Sequence, residues 1–150
     1  QGGVVGAGTL LSPQDVKQAK AAGAQFGVSP GITDSLLKAA QDYDLPLLPG
    51  AATASEVMYL LEQGYDTLKL FPAEAVGGIN LLKSLGAPLP QAKFCPTGGI
   101  NLQLAPHYLA LSNVLCVGGS WIAPDNLIAQ GDWTGVESLA RAASQLKPSE

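Results

Sequence analysis

Histidine occurs once in this chain, at His107, arginine once, at Arg141, and cysteine twice, at Cys95 and Cys116. A single histidine excludes a multi-histidine metal site and a histidine relay, and His107, inside the helical-looking stretch 102–111, reads as a surface residue. The two cysteines form neither a Cys-x-x-Cys pair nor a Cys/His cluster; each sits within an apolar run, so both read as small core residues of a protein kept in a reducing compartment. The sequence predicts no metal and no cofactor. Charge is scarce as well: 13% of residues are charged, about half the usual share. Lys+Arg number 8 against 12 Asp+Glu, a net charge of −4, which leaves no basic footprint for a nucleic-acid partner. Long apolar runs are missing too; stretches such as 46–49 and 114–117 fall far short of the roughly 20 residues that cross a bilayer, so no membrane partner is expected. The chain opens with Gln1-Gly2-Gly3 and its single methionine is Met58, so it reads as the interior of a longer gene product.

What is present is a regular beat. Hydrophobic residues make up 47% of 150 positions, enough for one domain's core, and 18 glycines and 11 prolines fall without the period of a fibre. Short apolar runs at 4–8, 26–29, 45–48, 67–71, 93–95 and 114–117 read as strands, each followed by sequence of helical period. Ser12 with Pro13 opens one helix, Thr33 the next, Thr53 or Ser55 the third, and Asp132 or Thr134 the last. Strands alternating with helices predict parallel βαβ units, because parallel neighbours need a crossover.

The carboxyl ends of the runs fall near Thr9, Pro30, Gly50, Lys69, Thr97 and Ser120, a compact pitch for a βα barrel. Six parallel strands buried on both faces would leave two open edges. The sequence therefore predicts an α/β fold, a TIM (β/α)8 barrel, with residues 1–150 as a single partial domain covering strands 3 to 8 and lacking the first two βα units. An open doubly wound sheet is the competing fold.

Candidate chemistry lies at the strand ends. In Thr67-Leu68-Lys69-Leu70-Phe71, alternation puts Thr67, Lys69 and Phe71 on the face opposite the two leucines. A lysine aimed into a barrel is desolvated and its amine freed to attack a carbonyl and form a Schiff base; the competing role is a structural ion pair. Pro96-Thr97-Gly98-Gly99 and Val117-Gly118-Gly119-Ser120 follow the last two strands, where bared backbone amides suit a phosphate. Glu74 reads as a helix-start carboxylate or a general acid/base, and Lys93 as a solvated residue at the wrong strand end. Gly6-Ala7-Gly8-Thr9 lacks the third glycine and the acidic residue of a dinucleotide fingerprint.

Together, Gly6-Ala7-Gly8-Thr9, Val28-Ser29-Pro30-Gly31, Leu48-Pro49-Gly50, 68–74 with Lys69 at its centre, Cys95-Pro96-Thr97-Gly98-Gly99 and Val117-Gly118-Gly119-Ser120-Trp121 resemble the 2-keto-3-deoxy-6-phosphogluconate (KDPG) and 2-keto-4-hydroxyglutarate (KHG) aldolase family. The resemblance implies that Lys69 is the Schiff-base lysine of a class I aldolase, with Phe71 beside it. It implies that Thr9 and Thr97 meet the pyruvate moiety, that Pro30 lines the pocket, and that Gly98, Gly99, Gly118, Gly119 and Ser120 bind phosphate. It further implies a phosphorylated 2-keto-3-deoxy sugar acid as substrate, a homotrimer and a cytoplasmic location. The family's general acid/base glutamate and carboxylate-binding arginine belong to its first βα units, so this chain is expected to be poorly active by itself. A phosphosugar epimerase or synthase working without a covalent intermediate, and a non-enzymatic phosphate-binding or assembly piece, are the other readings.

Overall fold

In the computed structural model, which describes residues 2–148, the chain runs β1 (Gly6–Gly8), α1 (Pro13–Ala21), β2 (Phe26–Val28), α2 (Asp34–Asp42), β3 (Leu47–Leu48), β4 (Gly50–Ala51) and α3 (Ala54–Glu62). It continues through β5 (Thr67–Leu70), α4 (Gly78–Gly86), β6 (Lys93–Pro96), α5 (Ala105–Leu109), α6 (Asp125–Gln130) and α7 (Trp133–Ala143). Single 3-10 turns occupy Glu74–Val76 and Ser120–Ile122.

The helices begin where side chains satisfy their first free amides. Ser12 and Asp15 close a capping box on α1, as Thr53 and Glu56 do on α3, while Thr33 caps α2 and Asp132 caps α7. Each such cap stabilises its helix by about 1 kcal/mol. The sequence left Thr53 open against Ser55 and Asp132 against Thr134; in both cases the first residue of the pair is the cap.

The strands form two parallel three-stranded sheets, β1-β2-β3 and β4-β5-β6. This corrects the expected barrel of strands 3 to 8: the six runs are not one continuous set. The third run, expected at 45–48, is divided at Pro49, which has no N–H to give a ladder. Before it, Leu47 and Leu48 pair with Gly27 and Val28; after it, Gly50 and Ala51 pair with Lys69 and Leu70. The sixth run, expected at 114–117, is not a strand but two isolated bridges, Phe94 with Val114 and Thr97 with Gly118. Its ladder is interrupted by an extra residue. Leu115 N donates to Phe94 O, yet Gly118 N, rather than the next residue in register, donates to Pro96 O. The segment bulges there, with two residues facing one.

Each sheet has its own core. Leu10, Val16, Ala19, Leu36, Ala39 and Leu45 pack where α1 and α2 cover the first sheet. Under the second, Leu68, Leu70 and Phe94 point at α3, α4 and α5 and meet Val57, Leu60, Leu82, Leu85 and Tyr108, all buried. Alternation along β5 therefore decides the site: with Leu68 and Leu70 fully buried on the helix side, Lys69 must face the other way. Among the described residues no helix is long and apolar enough to cross a membrane.

Candidate active site

Lys69 sits in the middle sheet position, flanked in register by Gly50 of β4 and Cys95 of β6. Its backbone N–H donates to Pro49 O at 2.8 Å. The half-buried side chain places Nζ 4.6 Å from the centroid of the Phe71 ring. Burial holds its pKa below the ordinary 10.5, because the ammonium loses solvation. The Cys95 sulfur works in the opposite direction, more weakly, since that thiol is pushed up and keeps its proton. The ion pairs among the described residues are Lys38 with Asp42 and Arg141 with Glu137, both on exposed helix faces. Among the described residues no carboxylate is paired with Lys69.

Gly50 is what lets the two sheets meet here. A Cβ on it would lie 2.2 Å from both the carbonyl carbon and oxygen of Pro30, so only glycine admits that approach. Pro30, at the end of β2, is thereby brought against Lys69's neighbour. Across β6, Thr97 N donates to Leu70 O at 2.9 Å, and Thr97 Oγ1 lies 3.4 Å from Cys95 O and 4.0 Å from Cys95 Sγ. Thr9 is exposed just beyond β1. Lys69, Phe71, Pro30, Thr97 and Thr9 thus all lie at or beyond carboxyl ends of parallel strands, where crevices in α/β proteins take their ligands.

The two glycine loops lie side by side, joined by the Thr97–Gly118 bridge. Gly98 and Gly99 have φ of +105° and +79°, a left-handed pair that turns the chain away from β6. The amides of Gly98, Gly99, Gly119 and Ser120 donate to no protein acceptor among the described residues, whereas the Gly118 amide is committed to Pro96 O at 2.9 Å. Four of the five expected phosphate residues therefore offer a free N–H, and Gly118 joins their loops instead.

Several residues stand differently from their sequence readings. Glu74 accepts a hydrogen bond from the Tyr108 hydroxyl, and Glu74 N donates to Gly98 O at 3.1 Å, so it ties the turn after Phe71 to α5. Burial first and Glu74 second push the Tyr108 phenol up. Lys93, at the start of β6, adds to its expected exposed position a bond from Nζ to Ser112 O at 3.3 Å. The core reading of the cysteines fails for Cys116, which is exposed, while Cys95 is half-buried beside Lys69. Sequence alternation in Lys93-Phe94-Cys95 already carried that signal: a buried Phe94 turns Cys95 toward the lysine face.

The site is thus a half-buried lysine with no carboxylate partner among the described residues, at the carboxyl end of a parallel sheet and beside two glycine loops. The family model described as "KDPG and KHG aldolase" matches residues 1–139, and the chain belongs to that aldolase family. It is 50% identical over 139 residues to a 2-dehydro-3-deoxy-phosphogluconate aldolase of Pseudomonas aeruginosa, covering 93% of this chain and 63% of that one. It is 48% identical over 140 residues to the KHG/KDPG aldolase of Escherichia coli, covering 93% and 66% respectively. The chain thus spans just under two thirds of the length of these curated relatives. Among solved structures, the KDPG aldolase of Legionella pneumophila, with pyruvate captured as a covalent carbinolamine, superposes with a TM-score of 0.91 at 47% identity, over 95% of this chain and 69% of that one. The Zymomonas mobilis enzyme with 3-phosphoglycerate gives 0.91 at 46% identity, over 99% and 69%.

Proposed function

We propose that this chain carries the Schiff-base lysine for class I aldol cleavage of 2-keto-3-deoxy-6-phosphogluconate to pyruvate and glyceraldehyde 3-phosphate, and of 4-hydroxy-2-oxoglutarate to pyruvate and glyoxylate, and is poorly active by itself. The observation that carries the reading is Lys69: half-buried, lowered in pKa by burial and without a carboxylate partner among the described residues, its amine is available as a nucleophile. The amine adds to the C2 ketone, and loss of water gives an iminium. A general base takes the proton of the C4 hydroxyl, the C3–C4 bond breaks toward the iminium, and the aldehyde leaves. The enamine is then protonated at C3 and hydrolysed to pyruvate and free Lys69. The pyruvate carbinolamine of the Legionella relative supports this order of steps.

Phe71 seats the amine, Pro30 lines the pocket, and Thr9 and Thr97 meet the pyruvate moiety. The free amides of Gly98, Gly99, Gly119 and Ser120 hold the phosphate, with Gly118 joining their loops. The 3-phosphoglycerate in the Zymomonas relative supports a three-carbon phosphate ligand. A homotrimer in the cytoplasm completes the reading; two free cysteines side by side suit a reducing compartment.

Borohydride reduction in the presence of pyruvate, followed by peptide mass mapping, tests it. A reduced pyruvyl adduct on Lys69 is expected, and its loss in Lys69→Arg. One observation favours a second reading, a non-covalent phosphosugar epimerase or synthase: the Phe71 ring under Nζ stabilises an ammonium. Absence of any adduct would promote that reading.

A further inference from the structure

We propose that Cys116 is a modification site for small hydroperoxides, and that Cys95 resolves its oxidised form into a disulfide beside Lys69. The geometry starts from the bulge. Between the Leu115-to-Phe94 and Gly118-to-Pro96 hydrogen bonds, Cys116 and Val117 together face the one residue Cys95. Neighbouring parallel strands lie about 4.8 Å apart, inside the Cα separations that a disulfide spans. The two thiols are near enough to shift each other's pKa in opposite directions, Cys95 up and Cys116 down.

They are unequal. Cys95 is half-buried in β6 and its thiol is pushed up, so it keeps its proton, whereas Cys116 is exposed. The neighbouring Cys95 thiol holds Cys116 down to about 7, leaving a large thiolate fraction at neutral pH. Cys116 also opens on a cavity of about 260 Å³ lined by Leu109, Leu115, Val117, Trp121 and Leu146. The largely apolar lining favours a small uncharged oxidant over a charged one.

The chemistry balances in two steps. The Cys116 thiolate attacks the terminal oxygen of the hydroperoxide; an S–O bond forms, the O–O bond breaks, and the alkoxide leaves as alcohol after taking a proton. Cys116 is oxidised by two electrons to the sulfenic acid and the hydroperoxide is reduced. The Cys95 sulfur, losing its proton, then attacks the sulfenic sulfur, forming S–S and releasing water. A thiol restores the pair by exchange. None of this depends on the aldolase reading, since no step uses Lys69.

The test treats the full chain with one equivalent of hydrogen peroxide, followed by non-reducing peptide mapping. A Cys95–Cys116 linked peptide, two hydrogens lighter and restored by dithiothreitol, is the expected product. Cys95→Ser should stop at a Cys116 sulfenic acid that dimedone captures, and Cys116→Ser should abolish both products. In the unaltered chain, iodoacetamide should label Cys116 about 10-fold faster than Cys95 at neutral pH, with a midpoint near 7. No dimedone capture at Cys116 in Cys95→Ser, preferential oxidation of Cys95 in the unaltered chain, or disulfides only between chains would each overturn the proposal.

Discussion

Keeping Lys69 half-buried costs the protein stability in the same act that makes the amine reactive. Its folded pKa lies below the unfolded value of 10.5, so between those two values the unfolded chain binds more protons and stability rises with pH. Below the folded pKa the penalty is complete and constant. Lys69→Met keeps the length of the side chain and removes the charge. It should abolish pyruvate trapping while raising Tm at pH 7, an effect held to roughly 1–3 °C because a half-buried amine is partly screened by solvent. The Tm advantage should shrink as the pH passes above the folded pKa of Lys69. Calorimetry at neutral and alkaline pH checks both signs; a lower Tm at pH 7 would mean that the ammonium is stabilising, as an ion pair or through the Phe71 ring.

Among the elements, the seam between the two sheets holds the site together, and it rests on Gly50. The atoms that a Cβ would meet there belong to the backbone of Pro30, which cannot rotate aside, so Gly50→Ala should cost about 1–3 kcal/mol by overpacking. Because Gly50 is in register with Lys69, trapping should slow as well. Gly31→Ala, where an added Cβ meets nothing within 4 Å, is the matched control and should leave the urea midpoint close to unchanged. Equal costs at both positions would locate the effect in the backbone rather than in the contact. This seam also marks where the sequence stops being legible. Helix starts at Ser12, Thr33 and Thr53 and the strands around Gly6–Gly8, Phe26–Val28, Thr67–Leu70 and Lys93–Pro96 follow from caps and alternation, which are local. Lys69's direction was legible for the same reason: the leucines on either side fix its face. The change of partner at Pro49 and the bulge opposite Cys95 depend on which strand lies alongside, and no local pattern encodes that. The Glu74–Tyr108 contact, 34 residues apart, was out of reach on the same grounds.

At the scale of the whole molecule, the first sheet leaves its outer strand open. Among the described residues β1 pairs with β2 alone, and Val4, Val5 and Leu11 around it are 70%, 66% and 65% exposed. Trp133, at the start of α7, is 65% exposed too. With a charged fraction of only 13%, little on this surface opposes contact between copies, and an open strand edge beside large apolar side chains can pair with a strand of another copy or with the part of the relatives' length that this chain does not span. The proposed homotrimer would cover such surface. Native mass spectrometry at micromolar concentration should therefore find three copies of the 15.3 kDa chain. Val5→Lys sets a charge beside the open edge without touching Lys69 or the glycine loops. If the first sheet forms the interface, it should shift the population toward single chains while leaving borohydride trapping of pyruvate intact. A single chain in the unaltered protein would remove the trimer; a trimer indifferent to Val5→Lys would move the interface to the surface around Trp133.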